Sequence, residues 1–256
     1  MKKVLKFFWK GLVPEGFNYP YTRVISNAFY GKKATLRQNA LFVIGFLPVI
    51  RNFFLKPSVS ERIIEDPFVL SQVQKLPKGS KVLDFGCFSS MVPLQLASIG
   101  YRVTGIDLYN YPYTHPNFIF HNQDILDNKL KSKSYDCIYA ISSLEHVGRG
   151  WYEKERKNAT DVAVVEQFYR LLKPGGTLLV TLPFGKLIQT PYMKVYDLNT
   201  FKKLFKDFKV RLIEYYLKRS EVIWSYAGIN SPKLPELKKS EIFNYVICTR
   251  LTKTDH

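Results

Sequence analysis

Short apolar runs alternate with helically spaced ones through most of this chain. Lys81–Leu83 leads an apolar run up to Asp84, which predicts a strand buried on both faces. Gly86 follows, with small residues at Cys87, Ser89 and Ser90. The run Met91–Ile99 then fits a helix, with Met91, Leu94 and Ile99 near one face and Gly100 as its stop. Arg102–Ile106 is a second short strand that leads into Asp107. Further strands are expected at Phe118–Phe120, Tyr135–Ile141, Thr177–Leu182, Val210–Leu217 and Ile242–Leu251. Helices are expected at Ser60–Leu76, with Pro67 able to divide it, at Asp161–Leu172 and at Asn199–Phe208. In the second of these, Val162, Val165, Phe168, Tyr169 and Leu172 supply the apolar side. Lys173-Pro174-Gly175-Gly176 stops it and turns the chain into a strand.

Strand, tight turn, helix and strand, with a carboxylate at each strand's carboxyl end, make a unit that suits a nucleoside-bearing ligand. Open α/β sheets bind ligands at that edge. A helix amino terminus attracts anions, Gly86 admits close backbone approach, and Asp107 stands where an acid can accept from both ribose hydroxyls. An ordinary turn with two edge aspartates has the same local pattern.

Residues 1–66 stand outside this alternation and read as a basic, aromatic helical extension, with residues 67–256 as the main domain and 218–240 as an insertion before its last strand. Lys2–Leu12 is helix-compatible, with Lys3, Lys6 and Lys10 on one side and Leu5, Phe8, Trp9 and Leu12 on another. Such a helix can lie in a membrane interface or dock on a protein surface. Residues 1–66 carry eleven Lys or Arg against four Asp or Glu. The run Ala40–Ile50 is too short to span a bilayer and contains Pro48. The basic start gives way to Pro14 and Glu15 without a long apolar region, so no secretory signal is expected.

Charge widens the list of partners rather than narrowing it. The 256 residues carry a net charge of +17, which favours nucleic acid, anionic lipid or phosphorylated substrates without choosing among them. Cys87, Cys137 and Cys248 are far apart and read as unpaired thiols of a reducing compartment. No Cys/His spacing suggests a metal.

The segments VLDFGCFSS, VTGID, HNQDIL, YDCIYAISSLEHVG and RLLKPGGTLLVTLPFG occur in that order. Together they resemble the successive motifs of class I S-adenosylmethionine-dependent methyltransferases, from about Lys78 to Phe184 and more loosely to the C-terminus. The resemblance implies an α/β fold: a doubly wound, mostly parallel sheet of about seven strands, here with the N-terminal helical extension. It implies S-adenosylmethionine as cofactor. Asp84 would order the glycine turn and approach the cofactor's amino group, Gly86 admit the methionine portion, Asp107 hold the ribose and Asp124 the adenine. Cys87, Phe88, Leu108, Ile125 and Ile141 would complete the cofactor contacts. Asp124 alternatively reads as a turn or N-cap carboxylate. The family usually has a second glycine where this chain has Phe88; a changed loop accommodates the ring, or the ring crowds the methionine part of the cofactor.

Methyl transfer to oxygen gains from a base within hydrogen-bond reach. His146, whose type ordinarily titrates near pH 6.5, is the first candidate, with Glu145 to orient it or bind substrate; the alternative is that the pair holds the cofactor loop. Tyr111, Tyr113, Trp151, Tyr152 and Phe184 are candidates for the substrate side, and residues 186–196 are expected to line it. No Asn-Pro-Pro-Tyr-like tetrad follows the fourth strand, which disfavours the amino-methylating enzymes of nucleobases and glutamine. The Ser-x-x-Glu-His form looks more like methyltransferases of small molecules, sugars and lipids. The block from Ser142 through Lys186 is similar to microbial members associated with surface-polysaccharide or glycan synthesis. Three functions follow. The first is O-methylation of a sugar-containing or lipid-linked acceptor in the cytoplasm, with residues 1–56 contacting an anionic membrane from its inner face. The second is RNA methylation, supported by charge alone. The third is a non-catalytic domain whose site Phe88 has closed.

Overall fold

The computed structural model describes residues 17–18, 58–88, 90–149, 159–229 and 245–254. Lys2–Leu12, Ala40–Ile50, Trp151, Tyr152 and the stretch 230–244 lie outside them. The elements are α1 (Arg62–Val73), β1 (Lys81–Phe85), α2 (Val92–Ser98), β2 (Arg102–Asp107), β3 (Phe118–Asn122), β4 (Tyr135–Ile141), α3 (Asp161–Leu171), β5 (Leu172–Phe184), α4 (Leu198–Leu204), β6 (Phe208–Ser220), β7 (Ile223–Gly228) and β8 (Tyr245–Lys253).

These strands form one eight-stranded sheet in the order β7-β6-β8-β5-β4-β1-β2-β3. The pairs β2–β3, β1–β2, β1–β4 and β4–β5 are parallel, whereas β8 runs antiparallel to both β5 and β6. The direction of winding reverses at β1, between β2 and β4. That reversal opens a crevice at the strands' carboxyl ends. The fold is the mostly parallel, doubly wound sheet expected, with one strand more than seven. The extra strand, β7, falls inside the stretch read as an insertion.

The chain divides into two compact units, residues 1–64 with 218–224, and residues 65–217 with 225–256. In the first, Phe17–Asn18 pairs antiparallel with Ser58–Val59, and the Trp224 indole N–H donates to the Val59 carbonyl at 3.0 Å. The second unit carries the core. There Leu83, Ile138, Leu178, Val180 and Leu182 cluster with Val164, Val165, Phe168 and Leu171 of α3.

Several helix faces and boundaries differ from the expectation. In α2 the inward residues are Val92, Pro93, Leu96 and Ala97, while Met91 and Ile99 are exposed. At about 100° per residue the two sets each cover an arc of about 140° on opposite sides of the helix, so spacing alone does not choose between them, and packing buries the face of Val92, Pro93, Leu96 and Ala97. In α3, Val162 is 52% exposed and Leu172 already belongs to β5. Pro67 lies within an unbroken α1; it forfeits one backbone hydrogen bond, and the buried Phe68, Val69 and Val73 hold the helix by packing. Lys173–Gly176 forms an excursion within β5: Tyr135 pairs with Leu172 and Cys137 with Thr177, with Gly175 at φ 69°. Helix α4 stops at Leu204, and Phe208 starts β6.

Candidate active site

A cavity lies at the carboxyl ends of β1, β2 and β4. Phe85, Gly86, Ile106, Asp107, Leu108, Asp124, Ile125, Leu126, Ser143, His146 and Val147 line it, with Gln123, Arg149 and Val164. Gly86 has φ 81°, and a Cβ there would lie 2.7 Å from the Ser143 Cβ and closer still to its hydroxyl. Only glycine fits this turn. Asp107 ends β2 and is buried. Its Oδ2 accepts the Phe88 N–H at 2.8 Å and its Oδ1 the Tyr109 N–H at 2.9 Å. Burial raises its carboxyl above the usual range, against the lowering effect of the N–H groups of Tyr109, Phe88 and Leu108. Asp124 caps the 3-10 turn Ile125–Asp127, with its Oδ1 accepting the Leu126 N–H at 2.8 Å. The capping role and a place on the cavity wall therefore coexist.

Other residues expected at the cofactor support the cavity from behind it. Asp84 is buried and accepts the Tyr139 hydroxyl at 2.8 Å. Cys87 is buried, and burial with the charges of Asp84 and Asp107 drives its thiol far up, so it stays protonated. The Phe88 ring packs on Tyr109 at 5.1 Å between centroids and is not among the lining residues. Ile141 is buried at the end of β4, where its carbonyl accepts the Ser143 hydroxyl at 2.8 Å.

After β4 the chain turns sharply. Ser142 takes φ 41°, unusual for a residue with a Cβ. Its N–H donates to the Thr181 hydroxyl at 3.1 Å and its hydroxyl to the Glu65 carboxylate at 2.6 Å. The 3-10 turn Leu144–His146 follows. His146 Nδ1 lies 2.8 Å from the Tyr192 carbonyl, which can only accept. Nδ1 therefore carries a proton, and whenever the ring is neutral Nε2 holds its lone pair. Nε2 lies 3.9 Å from Oε1 of the buried Glu145.

A second cavity, of about 360 Å³, adjoins the first and shares Val147, Gly148, Arg149 and Ala159 with it. Its other walls are Leu144, Thr160, Asp161, Gln189, Pro191, Lys194 and Tyr196. The two-residue strands Ile188–Gln189 and Lys194–Val195 pair antiparallel and supply one side. Of residues 186–196, Gln189, Pro191, Lys194 and Tyr196 thus line this cavity. Of the aromatic candidates, Trp151 and Tyr152 lie outside the described residues. Tyr111 is buried, donates its hydroxyl to the Ser90 carbonyl at 2.6 Å and packs on Tyr113, Phe118 and Phe120. Phe184 is buried against Tyr215. None of Tyr111, Tyr113 and Phe184 lines either cavity.

Residues 61–227, more than half of the chain, match the family described as "Methyltransferase domain". The chain belongs to the methyltransferase-domain family. Among curated relatives, it is 30% identical over 123 residues to a ubiquinone biosynthesis O-methyltransferase of Nitrosococcus oceani, covering 44% of this chain and 46% of that one. It is 28% identical over 103 residues to an S-adenosyl-L-methionine-dependent Diels-Alderase of Talaromyces variabilis, covering 40% of this chain and 35% of that one. The match thus spans less than half the length of either relative. Among solved structures, the Burkholderia thailandensis 1,6-didemethyltoxoflavin-N1-methyltransferase, determined with S-adenosylhomocysteine, superposes with a TM-score of 0.55 at 14% identity, over 87% of this chain and 92% of that one. That likeness is one of fold.

The cofactor of this family is S-adenosylmethionine, and the first cavity of this methyltransferase fold suits its parts. The glycine turn leaves a cradle that a Cβ would fill, a carboxylate faces where ribose hydroxyls would donate, and Leu108, Ile125 and Leu126 offer apolar surface to a base. Among the described residues, no group of three or more His, Cys, Asp or Glu is arranged to hold a metal, and no helix is long and apolar enough to cross a membrane. Glu65, Gln123, Arg149 and Lys194 were not singled out from sequence. Glu65 had a signal: a carboxylate directly before Phe68, Val69, Gln72 and Val73, on the stripe that α1 buries. Arg149 and Lys194 had none beyond their segments.

Proposed function

We propose that this protein transfers a methyl group from S-adenosylmethionine to an oxygen of a sugar-containing or lipid-linked small molecule. The observation that carries this reading is the orientation of His146. Nδ1–H donates to the Tyr192 carbonyl, and the ring stands in the cofactor cavity's wall with Nε2 as its base. Bound there, S-adenosylmethionine supplies an electrophilic methyl on a sulfonium. His146 Nε2 would take up the proton that the acceptor hydroxyl gives up on methylation. The Glu145 carboxylate, 3.9 Å from Nε2, stabilises the imidazolium. Positioning and exclusion of water from an apolar cavity supply the rest.

The polar second cavity beside this site supports a hydroxylated acceptor. The charge of the N-terminal residues supports action in the cytoplasm at the inner face of an anionic membrane, with residues 1–56 in contact. The test is transfer of labelled methyl from S-adenosylmethionine to lipid-linked, glycan and RNA fractions. Label is expected in the first two, and label confined to RNA would overturn the acceptor class. The likeness to a Diels-Alderase favours one second reading: a protein that binds S-adenosylmethionine without spending its methyl group. Tight cofactor binding with no transfer to any fraction would select it.

A further inference from the structure

Among the described residues that line it, the second cavity has charged hydrogen-bond donors to spare and one carboxylate acceptor. Among the described residues, Arg149 makes two side-chain hydrogen bonds, from Nη1 to the Thr190 carbonyl at 2.6 Å and from Nη2 to Gln189 Oε1 at 3.1 Å. Lys194 makes one, to Asp161 Oδ2 at 2.7 Å, with its ammonium also 4.7 Å over the Tyr196 ring. A guanidinium carries five N–H groups and an ammonium three, so most are uncommitted. The acceptor side is largely used. Asp161 Oδ2 also accepts the Tyr196 hydroxyl at 2.9 Å, and Oδ1 accepts the Val162 N–H at 3.0 Å. Among the described residues that line the cavity, Arg149 and Lys194 meet one carboxylate, Asp161, with Glu145 within electrostatic reach of Tyr196 behind them, and the Lys194 and Asp161 side chains are only 15% and 14% exposed, so these charges are poorly screened.

From this we infer that the second cavity is an oxyanion site. Arg149 and Lys194 take a phosphate or carboxylate borne by the acceptor, while Asp161 restrains Lys194. The inference rests on the methyl-transfer reading for what the site serves, because only the shared wall of Val147, Gly148, Arg149 and Ala159 links the two cavities. Its volume of about 360 Å³ lies in the range of about 300–1,000 Å³ usual for small-ligand sites, more than an inorganic anion alone fills. An acceptor anchored by its oxyanion would keep a hydroxyl-bearing part for the side shared with the cofactor cavity. The competing role for the two cations is structural, pinning the Ile188–Val195 hairpin.

Calorimetric titration separates the two roles. The full chain, with and without saturating S-adenosylhomocysteine, is titrated with inorganic phosphate, pyrophosphate, glucuronate and uncharged methyl glucoside. At least one oxyanion is expected to bind with an affinity that falls as salt rises, and methyl glucoside is not. Phosphate and pyrophosphate against glucuronate tell which oxyanion is read. Lys194→Gln should weaken the anion about tenfold, Lys194→Arg should keep it, and Asp161→Asn should tighten it by freeing the ammonium. A merely structural pair gives no tightening in Asp161→Asn. Absence of anion binding, equal binding of methyl glucoside, or affinities unchanged in both Lys194→Gln and Arg149→Gln would overturn the site. Failure of S-adenosylhomocysteine to bind would instead overturn the methyl-transfer reading, and the anion titrations of the unliganded protein would still decide this one.

Discussion

The two cavities that meet at Val147–Arg149 are built by different means. The first is shaped by backbone: strand ends, a left-handed glycine, and carboxylates whose oxygens are held by main-chain N–H groups. The second is shaped by side chains from α3, its preceding residues and a small hairpin, joined by the Lys194–Asp161 ion pair and by hydrogen bonds between residues far apart in sequence. Backbone walls tolerate little change and suit a ligand that stays the same. Side-chain walls can be re-cut by single substitutions and suit a ligand that differs from one family member to the next. The difference supports the proposal of cofactor in the first cavity and acceptor in the second.

The sharpest way to break that assignment is His146, which belongs to the first cavity's wall. His146→Ala should lower turnover about a hundredfold, roughly 2.7 kcal/mol in the barrier, while leaving S-adenosylhomocysteine affinity nearly unchanged by calorimetry. Turnover within about twofold of wild type, a barrier change of ~0.4 kcal/mol, would remove the imidazole from the chemistry. Gly86→Ala comes next. A Cβ at φ 81°, pressed against Ser143, should cost about 2 kcal/mol of stability by denaturant unfolding. It should abolish cofactor binding even where the protein remains folded. A stable, cofactor-binding Gly86→Ala would mean that the turn does not shape the first cavity.

Asp107→Ala sharpens the comparison from the other side. It should weaken S-adenosylhomocysteine about tenfold, roughly 1.4 kcal/mol, whereas Lys194→Gln should leave that affinity alone. Equal losses in the two variants would show one continuous site rather than two.

The same contrast explains what could be read from the residues in order. An apolar run that ends in a carboxylate, as at Asp84 and Asp107, marks a buried strand and its ligand edge together, because both signals lie within a few residues of each other. The βα order and the antiparallel final pair were equally legible. Tyr111 was not: an aromatic in a proline-containing stretch looks like a loop residue, and only the fold places its hydroxyl on the Ser90 carbonyl. The bond from Ser142 to Glu65 joins residues 77 apart in sequence, and no local spacing announces it. Arg149 and Lys194 lie in segments expected near substrate, but their convergence depends on how the Ile188–Val195 hairpin folds back, which periodicity does not encode.

The smallest effect expected is one of pH, and it should be confined to the first cavity. Burial keeps the Asp107 carboxyl protonated to higher pH than an ordinary carboxylate, against the N–H groups of Tyr109, Phe88 and Leu108. Its contribution to stability therefore falls as pH rises from the unfolded value through the raised folded one, since the folded state holds its proton longer. Ribose hydroxyls donating to this group would favour its ionised form. Cofactor binding should then release protons around the raised value, and S-adenosylhomocysteine affinity should drop a few-fold as pH falls through it. Calorimetry in two buffers of different ionisation enthalpy reads the released protons directly. Asp107→Asn should abolish both the release and the pH dependence, while phosphate binding in the second cavity should keep its salt dependence in that variant. If the release persisted in Asp107→Asn, another group would be the one that meets the ribose.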